Sequence, residues 1–272
     1  MTNEYQGREI KLVQVKEQAK NIKLYSFELP KKHFKVIEEF QFIPGQFIML
    51  SIPGVGEAPF APCSSPYQKS GFQLSVRKIG LVTSALDQIK TNTWLEFRGP
   101  YGNGFPLNQM NKKDLVLVAG GTGIAPLASL IEYLIINRKK YGKIYLLYGA
   151  KNSKEILFQD RIQRWRKYIK ILLCVEEKTK DWKEDIGLVT DICYKIDTEA
   201  SKTIAIMCGP PVMYKFMASE LEKNGIGADQ IYVSMEARMK CGIGKCQHCV
   251  IGKKYTCLDG PVFKYNEISD EL

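Results

Sequence analysis

Features that mark secreted, repetitive or nucleic-acid-binding proteins are missing from this sequence. Its first residues are polar and of mixed charge, without the apolar run of a signal peptide, so we expect a cytoplasmic protein. It contains no low-complexity segment and no repeat of fixed period, which excludes a solenoid. Because no basic stripe is interleaved with aromatic residues, nucleic acid is not an expected partner.

An uninterrupted apolar stretch long enough for a membrane helix is also missing. The segment 115–136 carries a single charge, Glu132, over 22 residues. The glycine-rich turn Gly120–Gly123 and Pro126 would break such a helix. A buried strand, a turn and a helix explain this segment better, so we expect no membrane span.

Length and composition allow a substantial core. The chain has 272 residues, of which 45% are hydrophobic and 25% charged, enough for one large domain or two ordinary ones. Its 39 Lys and Arg against 29 Asp and Glu give a formal net charge of +10. The basic residues are dispersed, which indicates a solvated lysine-rich surface or a basic face for an acidic protein partner.

The pattern of apolar residues divides the chain into three parts. Short apolar or alternating segments separated by turns predict an antiparallel β-barrel over residues 1–108. Strands that alternate with helices predict an α/β nucleotide-binding domain with a parallel sheet over residues 109–232. A compact segment rich in cysteine and glycine predicts a small metal-binding lobe over residues 233–272.

Individual elements follow from the same pattern. The expected barrel strands are 10–15, 22–29, 46–52, 72–76 and 94–98. In the second part, the expected strands are 115–119, 143–148, 169–175 and 203–207, and the expected helices are 126–139, 153–168 and 211–224.

The strongest motif is C-x4-C-x2-C-x7-C, formed by Cys241, Cys246, Cys249 and Cys257. Its first part has the spacing of plant-type 2Fe–2S sites, in which four thiolates hold two irons. A four-cysteine zinc site is the alternative, but zinc ribbons use two C-x2-C pairs and only one is present. The remaining cysteines are too dispersed to form a second cluster: Cys63, Cys174, Cys193 and Cys208.

A glycine-rich turn between a buried strand and a helix forms the second motif. It comprises Gly120, Gly121, Thr122, Gly123, Ile124 and Ala125, followed by Pro126. Glycines let backbone N–H groups approach a phosphate, and the N-terminus of a helix favours its negative charge. The motif differs from G-x-G-x-x-G, which argues against an ordinary Rossmann dehydrogenase. A tight turn without a ligand is the alternative.

Two further segments carry weaker signals. The segment that contains Cys208, Gly209, Pro210 and Met213 is a strand–turn–helix in which Cys208 could equally be a small buried hydrophobe. In the barrel, aromatic, cationic, hydroxyl and turn residues suit a flavin with its pyrophosphate, or serve only the fold. They are Phe60, Ser64, Ser65, Arg77, Gly80, Val82, Thr83 and Ser84.

In this order the motifs resemble the ferredoxin–NADP reductase superfamily over nearly the whole chain. Within it, the stretches Glu236–Cys249 and Cys257–Phe263 are similar to flavin subunits with a C-terminal 2Fe–2S tail. Such subunits occur in dihydroorotate dehydrogenase, cytosolic NiFe hydrogenase and anaerobic sulfite reductase. The short x7 gap and the Lys245–Cys249 stretch resemble most the flavin subunit of anaerobic sulfite reductase and the gamma subunit of the hydrogenase.

The resemblance implies FAD in the barrel and a nicotinamide nucleotide in the α/β domain. The family's flavin motif, Arg-x-Tyr-Ser/Thr, falls on residues 58–61, where only the aromatic Phe60 is retained. Arg77, Thr83 and Ser84 could supply the phosphate contacts instead, with Ser64 and Ser65 near the flavin ring.

The resemblance also assigns the nucleotide contacts. The turn Gly120–Ala125 matches the pyrophosphate loop. Gly209, Pro210 and Met213 match the segment at the nicotinamide, and Cys208 and Glu236 are the expected catalytic residues. NADH or NADPH is left open, since Glu176 and Glu177 disfavour a 2′-phosphate while Lys151 and Lys154 favour it.

The function implied is that of an electron-transfer subunit. It would pass electrons from NADH or NADPH through FAD and a 2Fe–2S cluster to iron–sulfur and catalytic partner subunits, because only a flavin converts hydride transfer into single-electron steps. The expected enzyme is anaerobic sulfite reductase. The alternatives are a hydrogenase gamma subunit, a dihydroorotate dehydrogenase subunit and, from another class, a flavin-free metal-binding scaffold.

Overall fold

The computed structural model describes residues 5–30 and 40–272. Its first part is a six-stranded antiparallel sheet with the order β4-β3-β6-β1-β2-β5. The elements are β1 (Arg8–Ala19), β2 (Ile22–Glu28), β3 (Phe47–Ile52), β4 (Gly56–Phe60), β5 (Gly71–Arg77), α1 (Leu81–Gln88) and β6 (Trp94–Tyr101). The predicted antiparallel barrel-like domain is therefore confirmed.

Aromatic rings fill the space that this sheet encloses. Phe72 is fully buried, and its ring centroid lies 4.8 Å from that of Phe40, 5.1 Å from that of Phe97 and 5.5 Å from that of Phe27. Strand residues alternate between this core and the surface, as in β5. Because one face of the sheet is buried, its register is fixed by the alternation.

The second part is a seven-stranded sheet with the order β10-β9-β8-β7-β11-β12-β15. Its strands are parallel except for the last, β15 (Val262–Lys264). The elements are β7 (Asp114–Gly120), α2 (Ile124–Ile136), β8 (Ile144–Ala150), α3 (Gln159–Trp165), β9 (Lys170–Val175), β10 (Asp185–Ile186), β11 (Thr203–Cys208), α4 (Pro211–Lys223) and β12 (Ile231–Ser234). The predicted parallel sheet is confirmed.

Both faces of this sheet are covered. One apolar cluster packs α2 and α3 against one face, and another packs α4 and the 3-10 segment Val189–Lys195 against the opposite face. The strand order reverses between β7 and β11, which carry helices on opposite faces. In open α/β sheets, ligands bind at such a switch point, beyond the carboxyl ends of the strands.

One predicted helix is wrong over most of its length. The expected helix 153–168 is a 3-10 turn at Ser153–Glu155 followed by the short helix α3. Phe158 interrupts it with left-handed backbone, φ 56°. The residues Ile156–Phe158 are buried, and the N–H of Leu157 donates to the Tyr148 hydroxyl at 3.1 Å. Packing of these residues against the sheet therefore prevents the continuous helix that the pattern of charges predicts.

The C-terminal lobe is joined to both preceding parts. It contains β13 (Val250–Ile251), β14 (Lys254–Tyr255), α5 (Thr256–Asp259) and β15 (Val262–Lys264). Strand β15 pairs with β12, so the lobe completes the edge of the parallel sheet. The expected domain boundary at 232/233 falls inside β12.

No helix among the described residues combines the length and the apolar character needed to cross a bilayer.

Candidate functional site

The carboxyl ends of β7 and β11 meet in unusually close contact. A Cβ at Gly123 would lie 2.1 Å from the carbonyl oxygen of Cys208 and 2.7 Å from the nitrogen of Gly209. These are backbone atoms in a packed turn, so no larger residue fits at position 123 without moving one of the two loops. The structure thus brings together the two nucleotide motifs that lie far apart in the sequence.

The start of α4 completes this junction. The Met213 side chain is buried, and its Sδ would lie 2.9 Å from a Cβ at Gly120. The Tyr214 hydroxyl accepts a hydrogen bond from the N–H of Gly209 at 3.1 Å and donates to the carbonyl of Ser234 at 2.6 Å. Tyr214 therefore ties the ends of β11 and β12 together, a role that the sequence analysis missed.

A cavity of about 920 Å³ opens at this junction. Its lining includes Arg77, which was expected at the flavin phosphate, and Glu236, which was expected as a catalytic residue. It also includes the residues expected at the nicotinamide nucleotide: Gly120, Gly121, Thr122, Gly123, Gly209, Pro210 and Met213. Three other expected residues, Ile124, Ala125 and Cys208, are buried behind it. The size suits a ligand as large as a nucleotide.

Arg77 brings the barrel to the nucleotide loop. It ends β5, and its Nη2 would lie 3.9 Å from a Cβ at Gly121. A guanidinium keeps its charge at all ordinary pH values and suits a phosphate. The positive charge expected for the flavin side thus lies next to the turn expected to bind the nicotinamide nucleotide.

The two expected catalytic residues differ in their surroundings. Burial raises the pKa of the Cys208 thiol well above its usual range, so this residue is a neutral buried group at the base of the cavity. Glu236 is exposed to the cavity. Desolvation by the surrounding protein raises the pKa of its carboxyl, and the Arg77 charge lowers it in part.

Apart from Arg77, the residues expected at the flavin lie outside this cavity lining. Phe60 and Val82 are half-buried against the barrel core, Gly80 is exposed, and Ser84 is half-buried in the first turn of α1. The Thr83 hydroxyl accepts the N–H of Gly80 at 2.8 Å and donates to its carbonyl at 3.1 Å. This hydroxyl therefore closes the turn before α1.

A side chain of the α/β domain helps to fix the segment that contains Ser64 and Ser65. Ser64 is buried, and its hydroxyl accepts the N–H of Gln73 at 3.1 Å. Arg161 of α3 crosses to the barrel and donates to the carbonyl of Cys63 at 2.6 Å. Ser65 is half-buried and accepts the N–H of Tyr67 at 3.3 Å. These contacts fix the segment, and Arg161 carried no signal in the sequence.

Two of the four clustered cysteines approach each other through their sulfurs, and the other two are joined by a backbone hydrogen bond. The Cys249 and Cys257 sulfurs lie 3.2 Å apart, and the N–H of Cys246 donates to the Cys241 sulfur at 3.3 Å. Among the described residues, no three His, Cys, Asp or Glu side chains converge so as to hold one metal ion. Cys249 and Cys257 are buried, whereas Cys246 is exposed.

Backbone groups surround these sulfurs. The N–H of Gly244 donates to the Cys257 sulfur at 3.0 Å. Burial opposes the Cys241 thiolate, but hydrogen bonds from the backbone of Ile243, Cys246 and Lys245 outweigh it and lower its pKa to about 6. Burial raises the pKa of Cys257 to about 12. Four thiols with N–H donors to sulfur fit an iron–sulfur centre.

The loop of residues 241–249, called the cluster loop below, packs on the barrel. Cys249 and Cys257 share a small apolar cluster with Phe47 and Met49 of β3. A Cβ at Gly242, whose φ is +77°, would lie 2.9 Å from Cγ of Met49, so this position requires glycine on two counts.

The side chain of Asn103 adds hydrogen bonds between the barrel and the lobe. It donates to the carbonyls of Asp259 at 3.0 Å and Val262 at 2.7 Å, and it accepts the N–H of Val262 at 3.1 Å. The lobe is thereby held in place against the barrel.

Three family models match successive parts of the chain. An oxidoreductase FAD-binding domain matches residues 9–105, an oxidoreductase NAD-binding domain matches residues 117–219, and the iron–sulfur cluster binding domain of dihydroorotate dehydrogenase B matches residues 236–269. Their order agrees with the three parts of the fold.

Curated relatives match over almost their full length. Sulfhydrogenase 2 subunit gamma of Pyrococcus furiosus is 38% identical, over 97% of this chain and 96% of its own. Sulfhydrogenase 1 subunit gamma of the same organism is 38% identical, over 98% and 93%. A probable dihydroorotate dehydrogenase B (NAD(+)) electron transfer subunit of Pyrococcus horikoshii is 34% identical, over 97% and 92%.

Solved structures share the fold at lower identity. An NADH-dependent reduced ferredoxin-NADP oxidoreductase superimposes with a TM-score of 0.75 at 23% identity, covering 96% of this chain and 92% of its own. The cytochrome b5 reductase domain of Ulva prolifera nitrate reductase gives 0.71 at 20% identity, covering 85% and 97%.

Replacing Gly123 by alanine should weaken NADH binding about tenfold or more. The added Cβ would meet the Cys208 carbonyl at 2.1 Å and push apart the two loops that line the cavity. The measurement is NADH titration of the purified protein, with the visible flavin spectrum as a check of folding. Gly54→Ala is the matched control, because a Cβ there meets no atom within 4 Å. Equal NADH affinity in both variants would contradict the placement of the nucleotide.

Proposed function

Because this chain belongs to the ferredoxin–NADP reductase-like oxidoreductases that combine FAD-binding, NAD-binding and iron–sulfur domains, we propose that it is the electron-transfer subunit of a multi-subunit enzyme. The observation that carries this is the full-length similarity to subunits named sulfhydrogenase gamma and dihydroorotate dehydrogenase electron transfer subunit. Each of these names denotes one component of a larger assembly.

The residues of the cavity have distinct tasks in this proposal. Backbone N–H groups of the Gly120–Gly123 turn approach the pyrophosphate of the nucleotide, and Arg77 adds a positive charge beside it. Met213 and the Gly209–Pro210 turn bound the nicotinamide. A bound flavin accepts a hydride and releases single electrons, which a nicotinamide and an iron–sulfur cluster respectively require.

Two groups of residues in the barrel are proposed to contact the flavin. Phe60 ends β4, Ser64 and Ser65 lie in the segment that follows it, and Gly80, Val82 and Ser84 surround the start of α1. We assign these groups to FAD, with Thr83 closing the turn that presents them. Glu236 lines the same cavity as Arg77, and we assign it to the position where the two ring systems would meet.

The cluster is proposed to be of the 2Fe–2S type. Cys241, Cys246, Cys249 and Cys257 supply the four thiolates that two irons require, and the sulfurs of Cys249 and Cys257 lie 3.2 Å apart. The exposed Cys246 marks the edge from which electrons leave. Lysines near this edge, among them Lys240 and Lys253, would help to steer an acidic partner.

The electron acceptor is proposed to lie in a partner subunit. The two relatives at 38% identity favour a hydrogenase-type assembly, and the short x7 cysteine gap resembles the hydrogenase and the sulfite reductase subunits alike. We therefore propose a hydrogenase-type acceptor first, and sulfite stays a prediction as the second candidate acceptor.

The isolated chain should oxidise NADH with a one-electron dye: one NADH and two oxidised dye molecules give NAD⁺, a proton and two reduced dye molecules. Incubated anaerobically with NADH and sulfite, or with NADH alone, it should form neither sulfide nor hydrogen, since no residue pattern in the sequence suggests a sirohaem or nickel site. Production of sulfide or hydrogen without a second protein would contradict the subunit assignment.

Replacing Cys246 by serine should abolish electron output through the cluster, while NADH still bleaches the flavin at a similar rate. The flavin precedes the cluster, so hydride transfer to it does not depend on this ligand. Stopped-flow absorbance separates the two steps. His248→Ala, an exposed position in the same loop, is the control and should retain both. Loss of flavin reduction in Cys246→Ser would refute this order of transfer.

NADH should be preferred over NADPH. The cavity lining beyond β8 and β9 contains Glu155, Glu176 and Asp191, which repel a 2′-phosphate, whereas Lys151 is paired with Glu177 at 3.4 Å. Comparison of kcat/KM for the two nucleotides tests this. Glu176→Gln should lower the ratio of kcat/KM for NADH to kcat/KM for NADPH about fivefold, since removal of one nearby charge changes the free energy of NADPH binding by roughly 1 kcal/mol. A preference for NADPH in the unmodified chain would contradict it.

A further inference from the structure

A partly buried ion pair lies in the barrel beside the first cysteine of the cluster loop. Arg98 on β6 is 5% exposed, and its Nε and Nη2 donate to the Glu57 carboxylate at 3.0 and 2.5 Å. The Ser51 hydroxyl donates to the same carboxylate at 2.6 Å. Three adjacent strands, β4, β3 and β6, therefore build one polar network.

The remaining end of the guanidinium faces the cluster loop. Nη1 of Arg98 donates to the carbonyl oxygen of Cys241 at 3.1 Å. The guanidinium and the Lys245 ammonium lie 5.6 and 5.1 Å from the ring centroid of Tyr5. The backbone of a proposed cluster ligand is thus held by a charged group that belongs to the barrel.

The stability of the sheet does not require this arrangement. Two charges lose much of their hydration on burial, and a well-packed apolar pair of similar volume often stabilises a protein as well or better. An apolar pair, however, could not donate to the Cys241 carbonyl. It also could not place a compensated positive charge next to the backbone of Cys241.

We propose that Arg98 is a positioning residue of the iron–sulfur centre, and that Glu57 sets the charge which the centre experiences. Arg98 holds the Cys241 backbone against β6, and Glu57 orients and neutralises Arg98. Glu57 also lies on β4, the strand that leads to Phe60, so the pair connects the flavin-binding strand to the cluster loop. This inference rests on the proposed function, because it requires a cluster at the four cysteines.

Replacement of Glu57 and replacement of Arg98 should shift the midpoint potential of the cluster in opposite directions. Reduction adds negative charge to a cluster, so a nearby uncompensated positive charge favours the reduced form. Glu57→Gln leaves Arg98 uncompensated and should raise the midpoint potential. Arg98→Gln leaves the Glu57 carboxylate uncompensated and should lower it. The double variant restores neutrality and should return the potential close to the original value.

Loss of the hydrogen bond to Cys241 should have a separate consequence. Outer contacts to metal ligands typically change metal affinity by 10–100-fold. Arg98→Gln and the double variant should therefore lose visible cluster absorbance to a chelator about tenfold faster. Glu57→Gln, which keeps the Arg98 donor, should lose it more slowly than either.

The experiment uses the full chain with its cofactors. Midpoint potentials are measured by redox titration followed by electron paramagnetic resonance, together with FAD content, cluster loss and melting temperature. Arg166→Gln is the matched control, because Arg166 makes a similar two-bond pair with Glu184 in the α/β domain, at 2.7 and 2.9 Å. Its potential and cluster lifetime should not change.

Opposite shifts in the single variants and recovery in the double variant would support the proposal. Shifts of the same sign, or no shift in loaded protein, would overturn it. Joint loss of FAD and cluster with a falling melting temperature would overturn it too, because the pair would then only support the barrel. Absence of iron and labile sulfide from the unmodified chain would instead refute the proposed function, and this inference with it.

Discussion

The close approach of two backbone turns at the centre of the parallel sheet is the constraint on which the site depends. Gly123 after β7 lies so close to the Cys208 carbonyl at the end of β11 that a single added carbon would separate them. Because the strand order reverses at this point, the helices that follow leave to opposite faces and a cavity opens between the turns. The glycine turn therefore lines this cavity together with Met213.

The other two parts of the molecule are positioned relative to this cavity by polar contacts. Arg77 extends from the barrel to the nucleotide turn, and Arg161 extends from the α/β domain to the segment that holds Ser64. The cluster lobe is bound to the barrel through Arg98 and Asn103, and to the sheet through β15. An electron path needs fixed separations between its centres, and these contacts supply them.

Patterns confined to short stretches of sequence predicted much of the architecture. Most strands of the two sheets follow from apolar alternation or continuous apolar runs, whereas β4, β10, β12 and β15 were not predicted. The cysteine spacing and the glycine turn indicated the chemistry of their sites. Prediction was wrong where packing overrides the local pattern. The charged faces of 153–168 read as one helix, but burial of Ile156 and Leu157 against the sheet requires left-handed backbone at Phe158.

By itself the sequence determined which groups are chemically available: four thiols within 17 residues, a glycine turn between strand and helix, and an acidic residue just before the cluster loop. It did so because these features depend on neighbours along the chain. Only the tertiary structure decided which distant groups meet. Arg98 contacts Cys241 across 143 residues, and the Tyr214 hydroxyl joins the ends of two strands. Such contacts depend on the order of the strands in the sheets, which no local spacing encodes.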